Sequence, residues 1–504
     1  MRGIHFQMPM DSEVSTNGCC RHTHVVGVDR MPWPSRSDYQ GGILTIRRDG
    51  REGCSVRLPR KVDGFGDVVL RTSCLMQRDE PYRLDVELCR GQMTQLRNHL
   101  AAWESEGWTP PKSLEDRLRY ALRMLQKSVM ASEPLEAQKA ALECLRESLW
   151  LSEELAFERA KGALSKMHSN GQPRPLNIGC VLDEEMVDEH EILALVDTFD
   201  HLILPVHWRR IETRQGVYQW DRLERQIQAA KRAQIPFTVG PIVDFHAKEL
   251  PEWLGRWQND PKCLLALMID FVESCVAKFK DRVHDWETTT NSNLVCLPCY
   301  SEDQWLWLTR RLVEATQDID PYANYSLSIG QPWGEYLANA RCSYSPVNFV
   351  DALLRSDLSV SGVNLDVAMG YADGGSYCRG LLDFSEMLDQ FSKLEIPLRV
   401  RFAFPSTPLA QQESMNAGAW HGSPTPSVQA DFLEKFMTVA LSKSRVERIT
   451  WGTYRDSLEG RWPLSGLVTA AGEPKPALAR LQAIRRTYQL GEREGIGSVG
   501  ANGA

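Results

Sequence analysis

From Leu176 onward short apolar runs recur at regular intervals: LNIGCVL (Leu176–Leu182), HLILPVHW (His201–Trp208), IPFTVGPIV (Ile235–Val243), RVHDW (Arg282–Trp286), YSLSIG (Tyr325–Gly330), SGVNLDV (Ser361–Val367), PLRVRFAF (Pro397–Phe404) and ERITWGTY (Glu447–Tyr454). Helical text separates them, first through Val187 to Val196, then Leu223 to Ala233, then Leu264 to Phe279. Short β-forming runs alternating with helices specify a parallel sheet, because parallel strands need long crossovers. Eight such units over about 310 residues fit a closed (β/α)8 TIM barrel of the α/β class better than an open sheet. Any site then lies at the C-terminal ends of the strands.

The barrel is expected over residues 171–488, after the polar, Pro-containing break HSNGQPRP (His168–Pro175) and before a Gly-rich flexible tail, 489–504. Residues 82–170 read as a helical connector. Leu114, Leu118, Leu122, Leu125 and Val129 fall on one helix face, Ser113 with Asp116 resembles a capping box, and a second helix starts near Pro134. Residues 41–81 read as a small β module, with two extended runs around Asp49-Gly50 and a further strand at VVLRTSCL (Val68–Leu75). Residues 1–40 show no sustained period and are expected to form a mobile lead-in.

Composition narrows the partners. The 504 residues carry 58 Lys+Arg against 66 Asp+Glu, a net charge of −8 that argues against nucleic acid held by bulk electrostatics. No signal-peptide core and no run of about 18 apolar residues is present, so a soluble, cytoplasmic protein without a membrane partner is expected. The 13 cysteines are odd in number and scattered, which favours reduced thiols. Cys19, Cys20, His22 and His24 match no zinc spacing, and Cys296-Leu-Pro-Cys299 lacks the context of a redox motif. No metal and no organic cofactor are expected, and the oligomeric state is left open.

Four stretches carry a family resemblance. Trp208 is followed by Glu212 and Gly216 in HWRRIETRQGVYQW. ELPEWL spans Glu249 to Leu254, and VHDWE spans Val283 to Glu287. The last stretch is WGTYRDSLEGRWPLSGLVTAAGEPKPAL (Trp451–Leu478). Their order and spacing resemble glycoside hydrolase family 10, the endo-β-1,4-xylanases, across roughly Leu176 to Leu481. That resemblance implies the TIM barrel, carbohydrate as the partner, and retaining hydrolysis by two Glu residues about 5–5.5 Å apart. It also implies no cofactor.

Against that pattern both carboxylates are missing. The strand-4 Asn-Glu pair of the family aligns with Thr290 and Asn291, and an amide has no acidic proton to give. The strand-7 Glu aligns with Phe402 or, one residue shifted, with Arg401. Glu287 lies four residues before Asn291, about 13 Å deeper at ~3.3 Å per residue, and reads as an inward polar group paired within the barrel. Asp244 and Asp366, near the ends of strands 3 and 6, are the substitute acids. Substrate contacts are expected from His207, Trp208, His246, Asn291, Trp451, Asp456 and Arg461, with the indoles stacking on a sugar ring or, alternatively, packing in the barrel's core and rim. The expected function is therefore binding of a β-linked, xylan-type saccharide with hydrolysis lost or weakened. Two alternatives stand beside it: an active O-glycosyl hydrolase using Asp244 and Asp366, and a non-catalytic interaction scaffold docking through the N-terminal helices.

Overall fold

Eight strands form the barrel: strand 1 (Asn177–Val181), strand 2 (His201–Leu204), strand 3 (Phe237–Val239, resumed at Val243–Asp244), strand 4 (Asp285–Thr290), strand 5 (Asn324–Ile329), strand 6 (Gly362–Ala368), strand 7 (Leu398–Ala403) and strand 8 (Val446–Trp451). All neighbours run parallel in the order 3-2-1-8-7-6-5-4, and strand 4 returns to strand 3, with Val239 beside Trp286 and Asp244 beside Thr290. The chain is a closed (β/α)8 barrel. The computed structural model describes residues 3–8, 20, 22–169, 177–183, 185–186, 189–294, 300–339, 342–408 and 416–488. Cys19, the Cys296/Cys299 pair and the tail fall outside these.

Period-two alternation sorts each strand into an apolar face toward the helices and a polar face toward the lumen. Phe402 of strand 7 meets Phe384 and Phe432 on the helices Leu381–Ser392 and Pro426–Leu441, whereas its neighbour Arg401 points inward. The lumen is consequently ionic rather than filled with the branched aliphatic side chains usual in such barrels. At its lower end Arg448 and Arg399 surround Asp285, at 3.3 and 3.7 Å, with His201 bonded to Thr238 at 2.8 Å. Burial, then the charges of Arg448 and Arg399, hold the His201 imidazole neutral.

The N-terminal third departs from expectation at its start. Ile4–Gln7 and Arg36–Gln40 flank Ile43–Arg47 in one sheet, and His24–Val26 and Pro32–Trp33 extend a second, so the described part of residues 1–40 is largely built into sheets. These strands have two to five residues and find partners far along the chain, as Ile4 does at Ile46 and Phe6 at Tyr82, which a local period does not register. The two runs around Asp49-Gly50 do not pair with each other. Ile43–Arg47 joins the first sheet, while Ser55–Val62 forms a hairpin with Gly66–Arg71 in the second. A strand from the barrel, Ala419–Trp420 in the loop after strand 7, completes that second sheet by pairing with Gly66 and Asp67.

Three helices follow, Leu84–Ser105, Lys112–Met130 and Pro134–Ser169. The second begins on Pro111 without a side-chain cap bond, so the Ser113/Asp116 box does not form. Arg57 and Arg71 of the second sheet reach Asp383 on the barrel helix Leu381–Ser392, at 3.1 and 2.7 Å, and Arg71 also pairs with Glu386. One continuous apolar core runs from Ile4 through the helices to Ile484.

Candidate functional site at the barrel mouth

The upper lumen is built from strands 3 to 7 and the loop after strand 8. Glu287 accepts from Ser328 at 2.5 Å and from Arg401. The guanidinium of Arg401 also lies 3.4 Å from Asp366, whose other oxygen accepts from Thr290 at 3.1 Å. Above them Arg461 bridges two carboxylates, Asp244 at 2.8 Å and Asp366 at 3.6 Å. Burial works against the charge on Arg401, but Asp366 and Glu287 outweigh it and hold the guanidinium more firmly protonated than usual. Inside a low-dielectric lumen such pairs are strong when complete and costly when broken.

Asn291 stands at the tip of strand 4 in the left-handed region, with φ of 59°. Its amide nitrogen donates to Asp244 at 2.8 Å, and its Oδ1 accepts no hydrogen bond. That oxygen lies against Gly330, where an added Cβ would sit 2.2 Å from it, so strand 5 admits the Asn291 amide only because residue 330 has no side chain. Of the two alignments for the strand-7 position, Arg401 is the lumen residue and Phe402 faces the helices.

Asp244 and Asp366, the proposed substitute acids, are only 8% and 4% exposed and share the Arg461 guanidinium. The rim above them is polar. His207 lies 3.4 Å from Glu249, whose carboxyl is held down to about 2 by that hydrogen bond, against burial, and by the charges of His207, Arg461 and His246. His246 meets Asp373 at 3.0 Å, and Lys248 meets the same carboxylate at 2.5 Å. Burial of Asp373 is outweighed by Lys248 and His246, which keep its carboxyl below the ordinary value.

No protein-family model matches the chain, and no curated protein matches it. Solved structures do. Xylanase 10B of Thermotoga petrophila RKU-1, in complex with xylobiose, is 18% identical and aligns over 62% of this chain and 94% of its own, with a TM-score of 0.47. Native xylanase 10B of Thermotoga maritima is 16% identical over 66% of this chain and 98% of its own, at 0.47. A family 10 structure from Paenibacillus barcinonensis is 14% identical over 64% and 97%, at 0.48. The likeness is one of architecture.

The indoles expected at the mouth lie in packing. Trp208 is 1% exposed, stacks on Phe271 with centroids 4.6 Å apart, and donates to Glu212 at 2.7 Å. Trp451 is fully buried, with its N–H on the Ser465 carbonyl at 2.8 Å. Their apolar faces are taken by the protein, which corrects the expectation that they stack on a ligand. Trp286 is fully buried as well. Asp456 accepts from the Gly466 amide at 2.8 Å and pairs with Lys475 at 2.5 Å, so it pins the loop after strand 8. The structure therefore brings His207, His246, Asn291 and Arg461 together around Asp244 and Glu249, and sets Trp208, Trp451 and Asp456 to one side. Glu249 and Asp373 were not among the expected contacts. The signal for Glu249 was the dense ionic run His246-Ala-Lys-Glu249, which has no periodicity to mark it, while Asp373 lies 127 positions from the His246 it meets.

Proposed function

We propose that this chain is a xylanase-like barrel that holds a neutral saccharide at its rim and does not hydrolyse it. The observation that carries the reading is the double arginine clamp, Arg401 on Glu287 and Asp366 and Arg461 on Asp366 and Asp244. Retaining hydrolysis needs one carboxyl to protonate the leaving oxygen and another to attack the anomeric carbon. Asn291 can do neither, and the lumen carboxylates Asp244, Glu287 and Asp366 are each paired with a guanidinium beneath the surface.

What remains accessible suits binding. The half-exposed His207, Glu249, His246 and Asp373 offer donors and acceptors in alternation, as sugar hydroxyls require. The ligand class comes from the resemblance of the Trp451–Leu478 stretch to the family's strand-8 text. Purified protein assayed on xylan and on aryl β-xylosides is expected to show no turnover above background, while xylotetraose titrated in a calorimeter gives saturable binding weakened by His246→Ala. Turnover at the rate of an ordinary xylanase overturns the reading. Should activity appear and vanish in Asp366→Asn or Asp244→Asn, the relocated-acid alternative takes its place.

A further inference from the structure

Beside the mouth a cleft of about 470 Å³ opens between the turn of the N-terminal hairpin, Lys61–Asp67, and the barrel segments at Gly370, Pro405, Pro408, Ala419 and 421–424. Its size is that of a small-molecule site. Its walls are fixed, because the hairpin and the barrel loop share backbone pairing at Asp67 with Ala419 and Gly66 with Trp420. A Cβ on Gly66 would lie 2.2 Å from the Ala419 carbonyl, so this close seam depends on glycine.

The polar equipment of the cleft is specific. His421 adopts φ of 54° and is clasped by Trp420, Trp150 and Phe65, with ring centroids 3.6, 4.4 and 5.1 Å away. Its Nε2 lies 3.8 Å from Oε2 of Glu153, on the helix Pro134–Ser169, and neither atom has a hydrogen-bond partner. The other oxygen of Glu153 accepts from the Leu381 amide at 3.0 Å and the Trp420 indole at 3.4 Å. Burial raises the Glu153 carboxyl to about 7, while burial and then Lys435 lower the His421 imidazole to about 3. At neutral pH the imidazole is thus uncharged, and with Nε2 sealed against Glu153 its Nδ1 is the ring nitrogen left to serve a guest. Across the cleft Asp67 is steadied by the Tyr377 hydroxyl at 2.7 Å.

These groups discriminate by charge. Asp63 and Asp67 face Lys61, so the lining carries one excess negative charge and repels an anion. A cation drawn to Asp67 would meet Lys61, whose charge already acts on that carboxylate, and the indole faces are taken by Lys435, 5.9 and 5.5 Å from the ring centroids of Trp150 and Trp420. A neutral guest with hydroxyl groups and apolar C–H faces fits what is left, with Pro405, Pro408 and Pro424 as the apolar side.

We propose that this cleft is a second ligand site, separate from the barrel mouth, that takes a neutral polyhydroxylated molecule of mono- to disaccharide size through His421 and Asp67. The saccharide reading of the mouth guides only the choice of probe. Xylobiose and cellobiose are titrated against the full-length chain, following tryptophan fluorescence, since Trp150 and Trp420 touch His421. Saturable binding is expected, weakened at least tenfold by Asp67→Asn and by His421→Gln. Ser423→Trp, a substitution at an exposed lining residue that leaves the buried groups intact, abolishes it and guards against misfolding of the other two variants. Binding that survives all three variants and is lost in His246→Ala overturns this site while leaving the reading of the mouth in place. Absence of binding by either probe overturns this site and, with xylotetraose also silent, the mouth reading as well.

Discussion

Asn291 condenses the chemistry of the site into one side chain. The amide binds Asp244 and lies against the bare Cα of Gly330. Gly330→Ala is expected to cost about 1–3 kcal/mol through overpacking, read as a lowered urea midpoint at unchanged slope. An unaltered midpoint would show that strand 5 yields freely. Arg401→Met leaves Glu287 and Asp366 buried without their partner and is expected to cost about 3–5 kcal/mol in the same measurement. Glu153 supplies the pH dependence. Its folded value of about 7 exceeds the ordinary 4.5, so its stabilising contribution is complete below about pH 4.5 and is lost as pH rises through about 7. Lys435 and His421 are the charged or titratable groups beside it. Glu153→Gln should therefore be more stable than the parent at pH 8 by about 3 kcal/mol and nearly equal to it near pH 4.5. Equal stability at both pH values would contradict that assignment. At this scale residue identity is direct, so the sequence named Asn291, Arg401, Asp244 and Asp366, which the structure brings into one lumen. It did not tell which faces of Trp208 and Trp451 were free, since that depends on Phe271 and the loop at Ser465, 63 and 14 positions away.

Among the elements, legibility followed length and locality. The eight barrel runs were readable because each repeats a strand and a crossover of similar span. The first forty residues were not, for strands as short as Pro32–Trp33 and His24–Val26 are defined by their partners rather than by a period of their own. Least visible was Ala419–Trp420, a barrel loop that becomes the edge of the N-terminal sheet. Gly66→Ala tests that junction. The new methyl would press on the Ala419 carbonyl, so hydrogen exchange at residues 66–67 and 416–420 should rise together while strands 1 to 8 keep their protection. Faster exchange on one side alone would mean that the two segments are not coupled.

Across the whole molecule, the N-terminal region and the barrel share one apolar core and the ionic seam at Asp383, so they are expected to unfold as one body. Removing the hairpin would strip Arg57 and Arg71 from Asp383 and Glu386, whose carboxyls burial would raise but these arginines keep well below the ordinary range. A single calorimetric transition is expected for residues 1–488, and a barrel beginning at 171 is expected to be insoluble or molten. Two separated transitions would refute this. The ionic lumen has a consequence for anyone wishing to build a pair of glutamates into this barrel. Four carboxylates, Asp244, Asp285, Glu287 and Asp366, are balanced there by four guanidiniums, Arg399, Arg401, Arg448 and Arg461. Writing glutamate at 291 and 401 would set six anions against three cations in the same sealed volume, so that two-residue substitution is opposed by mutual repulsion, and any engineered hydrolase on this scaffold must rewrite the barrel's interior layer by layer.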